Sequence, residues 1–226
     1  MTYEIKGGNL PVLILHMEAG EQAVCDGGAM SWMDDGIEMH TEGGSFGRVM
    51  GRLFTNESLF QNRYVAQRPA EIAFASKFPG SIVPVQITPE HSIIVQKGAF
   101  LASVGNITTG VYFQKRFAGG LFGGEGFILT QISGSGMVFL EIDGSAIEYQ
   151  LLPGQRKILD TGYLAMMDAT CSLDVETVKG AKNIFLGGEG LFNTVITGPG
   201  KIVVQSLPLY KTAAALSSYL TVTKGD

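Results

Sequence analysis

The 226-residue chain carries 45% hydrophobic and only 16% charged residues, which excludes a disordered polymer and leaves apolar surface for a sizeable core. Its net charge of −5 gives no overall pull toward nucleic acid or an anionic membrane surface. Glycine, at 31 residues, is about twice the usual roughly 7% and follows no Gly-X-Y period, so the chain reads as turn-rich and all-β.

Two further exclusions are compositional. Cys25 and Cys171 sit in no CxxC or CxxH spacing and read as unpaired structural thiols suited to a reducing cytoplasm. No apolar run approaches the roughly 18 residues of a membrane span, and residues 10–15 are too few for a signal-peptide core. The expected location is cytoplasmic, with membranes touched only indirectly.

In chain order, the first segment contains Met17-Glu-Ala-Gly-Glu-Gln-Ala-Val24, then a Met-rich stretch around Met30, Trp32, Met33 and Met39, then Leu53-Phe-Thr-Asn-Glu-Ser-Leu-Phe60. The second repeats these features as Ile87-Thr-Pro-Glu-His-Ser-Ile-Ile94 and Leu121-Phe-Gly-Gly-Glu-Gly-Phe-Ile128. The third repeats them as Leu151-Leu-Pro-Gly-Gln-Arg-Lys-Ile158 and Phe185-Leu-Gly-Gly-Glu-Gly-Leu-Phe192. From Gly123 and from Gly187, eight of fourteen successive positions are identical. The chain is therefore expected to be three copies of one unit.

Each copy reads as short strands. Residues 81–86 and 92–96 are β-branched and bounded by Pro-Glu-His and Lys-Gly, as in a strand pair joined by a turn. Strands over 99–104, 107–113, 127–132 and 137–142 follow, with turns expected at Val104-Gly-Asn106 and Ser133-Gly-Ser-Gly136. Met137-Val-Phe-Leu140 is apolar throughout, as in a strand covered on both faces. The third copy gives strands over 156–159, 163–167, 171–176, 191–196 and 201–206. After Pro208 an Ala-rich run predicts a helix over 209–220, with Leu209, Ala213, Leu216 and Leu220 on one side, closing one end of the β core.

The expected boundaries are 1–79, 80–144 and 145–208 for the three repeats and 209–226 for helix and tail. The junctions are short and abut apolar strands, so the repeats are expected to pack as one pseudo-threefold body that buries strand edges.

Several motifs together resemble one family. They are Gly51-Arg-Leu-Phe-Thr-Asn-Glu-Ser-Leu-Phe60, Pro79-Gly80, Gly98-Ala-Phe-Leu-Ala102 and the Gly-Gly-Glu-Gly copies. They are similar to bacterial and archaeal relatives of the altered-inheritance-of-mitochondria proteins, over about residues 1–210. The resemblance implies an all-β fold of three fused, homologous β-sandwich or double-stranded-β-helix-like units, each like a subunit of the tryptophan RNA-binding attenuation protein. It implies self-association into trimers or larger rings. The mitochondrial relatives are linked to inner-membrane organisation, and no catalytic residues carry over. Kinship of fold does not transmit tryptophan or RNA binding.

Candidate chemistry is sparse. Glu57, Glu125 and Glu189 recur once per unit, and converging carboxylates would suit calcium or magnesium; the plainer role is to accept backbone N–H bonds and pin a Gly-rich loop. His16, His40 and His91 are not equivalent between copies and form no HxH or HExxH. The glycine stretches lack the P-loop and Rossmann patterns. Arg48, Arg52, Arg63 and Arg68, with Lys97, Lys115 and Arg116 later and Tyr64 and Tyr112 nearby, form a possible basic face. The Met30, Met33, Met39, Met166 and Met167 side chains read as core or subunit packing. No cofactor, metal or catalytic group is expected. The expectation is a non-enzymatic binding or scaffolding protein, oligomeric, supporting assembly of protein or membrane-associated complexes. An RNA- or nucleotide-binding ring is the competing reading, nucleic acid being disfavoured by charge, and a metal protein using the repeated Glu is the third.

Overall fold

The computed structural model describes residues 1–43, 60–115, 127–177, 192–217 and 219. The first segment holds β1 (Thr2–Lys6), β2 (Val12–Met17), β3 (Gln22–Asp26), β4 (Met30–Met33), β5 (Ile37–Gly43), β6 (Phe60–Ala66) and β7 (Ala70–Ala75). The second holds β8 (Gly80–Ile87), β9 (Ile93–Gln96), β10 (Phe100–Lys115) and β11 (Phe127–Asp143). The third holds β12 (Ala146–Leu151), β13 (Arg156–Asp160), β14 (Leu164–Asp168), β15 (Ser172–Thr177), β16 (Phe192–Thr197) and β17 (Gly200–Gln205), followed by helix α1 (Leu209–Ser217). Among the described residues the protein is all-β with one short C-terminal helix.

One pairing scheme serves each segment. β2 pairs with β7, β8 with the second half of β11, and β12 with β17, all antiparallel. On the other side of those strands lie β4, the first half of β10, and β14. Each of these three carries a register shift, between Met30 and Trp32, Phe100 and Ala102, and Leu164 and Met166. The remaining strands form the sets β3-β6-β5, β9-β11-β10 and β13-β16-β15. Pairing of β10 with β3 and of β14 with β9 joins the segments into a ten-stranded sheet.

Two sequence expectations fail here for physical reasons. Residues 104–106 and 133–136 are not turns but the middles of two long strands, β10 and β11, paired along their length. Their glycines meet across the ladder, Gly105 opposite Gly136 and Gly134 opposite Ile107. A Cβ on Gly136 would stand 2.1 Å from the Val104 carbonyl oxygen, so these glycines allow close backbone approach. Likewise, β8 and β9 do not pair with each other. Both lie along β11, with Ile87 opposite Gly136 and Ile93 opposite Ile132, so the Pro-Glu-His stretch is an excursion within one line of pairing. A β8–β9 hairpin would leave that edge of β11 unsatisfied. The 198–200 turn is present, separating β16 from β17.

Core packing follows strand alternation. β2 alternates half-buried and buried residues, placing Leu13, Leu15 and Met17 inside. Three apolar clusters result, and each draws on its neighbour: Leu101, Ala102 and Phe139 complete the first segment's core, while Ala165, Met166 and Val203 complete the second's. Along β11, Phe139 faces the first cluster and Val138 and Leu140 face the second, so both faces are covered as expected. Cys25 and Cys171 are unpaired and buried, and burial pushes the Cys25 thiol up to about 12, leaving it a packing group.

The helix forms but does not close the core by apolar packing. α1 buries no residue, and Leu209 and Leu216 remain exposed. It is tethered instead by polar bonds. The Leu209 N–H donates to Asp143 Oδ2 at 3.0 Å, the Tyr210 hydroxyl donates to Asp160 Oδ2 at 3.3 Å, and Lys211 Nζ lies 2.8 Å from the same oxygen.

A titratable staple links the second and third segments. His91 Nε2 lies 3.0 Å from Asp168 Oδ1 and Nδ1 lies 3.0 Å from the Gln86 carbonyl oxygen. Both neighbours are acceptors, an arrangement only the doubly protonated ring satisfies fully. The Asp168 bond, opposed by desolvation and helped by the Gln86 carbonyl, raises the His91 pKa above its usual value. A raised histidine pKa contributes stability that is fully present below the unfolded value of about 6.5 and is lost as pH rises through the higher folded value. His91→Gln is therefore expected to melt lower than the native chain near pH 5.5, with the gap closing by about pH 9. Melting curves across that range test it, and a gap that widens with pH would refute the staple.

Candidate interaction site

Two strands at sheet margins present exposed apolar side chains. β4 ends the four-stranded sheet β1-β2-β7-β4, and β13 ends the three-stranded sheet β13-β16-β15. Among the described residues each pairs with a single strand, β7 and β16 respectively. On β4, Trp32 is 52% exposed and Met33 37%; on β13, Ile158 is 60% exposed. A strand edge with free N–H and C=O groups and apolar side chains is a template for pairing.

The corresponding residues elsewhere are buried, apart from the half-buried Val24. β10 docks on β3 with Ala102 opposite Cys25, Ser103 opposite Val24 and Val104 opposite Ala23. β14 docks on β9 with Met166 opposite Val95, Met167 opposite Ile94 and Asp168 opposite Ile93. Trp32, Ala102 and Met166 occupy the same place, immediately after the register shift. Val24, Ile94 and Ile158 are likewise aligned in sequence. Ala102, Met166, Met167, Ile94 and Cys25 have no accessible surface. β4 and β13 are the strands equivalent to those joined at these two junctions, and among the described residues neither has such a partner.

Joined in the register of β14 and β9, β4 and β13 would set Asp34 opposite Lys157. Asp34 is exposed, its Oδ2 accepting the Glu71 N–H at 2.9 Å. Lys157 Nζ sits 3.4 Å from the centre of the Tyr149 ring.

The residues singled out from sequence are distributed differently. Glu57, Glu125 and Glu189, with Arg48, Arg52 and Arg116, lie outside the described residues. Arg63 donates to Gln22 Oε1 at 2.8 Å from β6. Arg68 is a latch: its guanidinium donates to the Asp35 carbonyl oxygen and carboxylate at 2.9 and 2.8 Å and packs where a side chain on Gly36 would stand. Tyr64 is buried in the first core and its hydroxyl lies 3.4 Å from Met39 Sδ, so it offers no stacking face; Tyr112 is exposed. His16 lies between Glu4 and Glu71 at 3.2 and 2.8 Å, and His40 stands 3.7 Å from Glu38. Met166 and Met167 are core, whereas Met33 and Met39 are exposed. No group of three or more His, Cys, Asp or Glu among the described residues is placed to hold a metal. Among the described residues no helix is long and apolar enough to cross a membrane.

Comparison with known proteins supports the family. The model of the family described as "Mitochondrial biogenesis AIM24" matches residues 3–207. The chain belongs to the AIM24 family. Among solved structures, this AIM24-family chain is similar to protein SPYM3_0169 from Streptococcus pyogenes, with a TM-score of 0.78 and 23% identity. That match covers 97% of this chain and 99% of the other. At that identity the likeness shows a shared fold. No curated protein matches this AIM24-family chain.

Proposed function

We propose that the protein is a self-associating, non-enzymatic binding or scaffolding module of three homologous units, supporting assembly of protein or membrane-associated complexes. The recurring pairing scheme and the recurring register shift support the three-unit reading. The observation that carries self-association is the exposure of Trp32, Met33 and Ile158 where their equivalents, Val24 apart, are buried. Joining β4 of one copy to β13 of the next is a heterologous contact, and three or more copies would close it into a ring. The family description, mitochondrial biogenesis, supports a role in assembly rather than turnover of a substrate. Light scattering on the purified chain is expected to give a mass of three or more copies at about 50 µM, within reach of a micromolar interface. A strictly monomeric protein at that concentration would overturn the proposal.

A further inference from the structure

A second site lies inside a single chain. A cavity of about 180 Å³ opens where the segment after β7, the β9–β10 turn, the end of β11, the end of β17 and the start of α1 meet. Two carboxyl side chains, Glu141 and Asp143, line it from one face of β11, since residues two apart on a strand point the same way.

Glu141 is only 6% exposed. Its Oε1 accepts the Lys77 N–H at 2.6 Å and the Ser76 hydroxyl at 3.0 Å. Its Oε2 is buried and has no hydrogen-bond partner among the described residues. An unpartnered buried carboxyl oxygen is costly, and native structures keep such groups for a purpose. Asp143 is fixed beside it. Its backbone N–H donates to Gln205 Oε1 at 3.3 Å and its Oδ2 accepts the Leu209 N–H at 3.0 Å. Burial, and secondly the Glu141 charge, raise the Asp143 pKa against that N–H bond.

We propose that this cavity binds a small molecule through a protonated primary amine, held between the Glu141 and Asp143 carboxyl groups. An ammonium group has three donors and no acceptor, which matches a cavity lined by two carboxyl groups. Phe78, Ala99 and Leu209 supply an apolar wall for a short hydrocarbon body. The volume slightly exceeds the roughly 150 Å³ cavity that takes benzene, so the occupant has about five to eight heavy atoms. Lys77 and Lys97 also line the cavity, which disfavours a second cationic end and tolerates an anionic one. Among the described residues no third acidic or histidine side chain joins these two, which disfavours a bare divalent cation.

The test is a matched series titrated by NMR on the full chain: butylamine, 4-aminobutyrate, putrescine and 1-butanol, with calcium as a further arm. Butylamine or 4-aminobutyrate is expected to shift resonances of Glu141 and the β9–β10 turn saturably, and whichever binds tighter separates a simple amine from a zwitterion. Glu141→Gln retains an acceptor for Lys77 but sets an amide at the Oε2 position, and should weaken binding about tenfold or more. Asp143→Asn is the second variant should the first fold poorly. Putrescine or butanol binding as well as butylamine, calcium alone binding, no binding at all, or binding unchanged in both variants would each overturn the proposal. Because the cavity lies within one chain, the same titration on a monomeric variant keeps this result separate from self-association.

Discussion

Ile158→Lys is expected to leave the protein monomeric at concentrations where the native chain assembles. Ile158 projects from the free edge of β13, and its counterpart Ile94 is buried against Met167 in the β9–β14 junction. Burying an isoleucine is worth about 2 kcal/mol, and a lysine in its place adds an unpaired charge to the seam. The two together should raise the dissociation constant a hundredfold or more. Met33→Lys should do the same from the other edge. The heterologous geometry makes a sharper demand: mixing the two variants leaves one intact β4 and one intact β13, so they should form a 1:1 dimer that grows no further. Light scattering of each variant and of the mixture reads all three outcomes. A mixture that stays monomeric while each variant remains folded would mean that these edges do not meet.

Gly134→Ala is expected to cost roughly 3 kcal/mol or more, because positive-φ strain and a backbone clash act together. Gly134 has φ of +116°, and a Cβ there would stand 2.1 Å from the Asn106 carbonyl oxygen, a main-chain atom held in the β10–β11 ladder. For a chain of this size that amounts to a fall of about 6–12 °C in Tm. Gly110→Ala is the control, on the same strand pair but with open space at the Cβ position, and should change Tm little. Equal effects at the two sites would refute the close-approach account.

Much of the strand inventory was legible. The third segment's five predicted strands fall within a residue or two of β13 to β17, because the β-branched runs there stand apart in the sequence. The second segment misled for a chemical reason: Gly-Asn and Gly-Ser-Gly read alike whether the chain reverses or two backbones press together. Only pairing partners distant in sequence, such as Gly105 and Gly136, distinguish the cases. The helix over 209–217 was visible from its alanines, but its polar tethering to Asp143 and Asp160 was not, since both partners lie far back in the chain. Tyr64 illustrates the same limit, because its partners in space are Phe74 and the first core, most of which lies far from it in the chain. Glu141 did leave a trace. It is the one carboxylate in the apolar run Met137-Val-Phe-Leu-Glu-Ile142, a strand that sequence already placed under cover on both faces.

The ten-stranded sheet has a consequence for how the molecule opens. The middle segment lends β10 to β3 on one side and β9 to β14 on the other, so both of its flanks are occupied within the chain. The first and third segments each have one flank occupied this way. Opening either end of the chain breaks one seam, whereas releasing β11 breaks its pairing with β8, β9 and β10 together. The chain therefore loosens from its ends inward, and β11 is the last structure to let go.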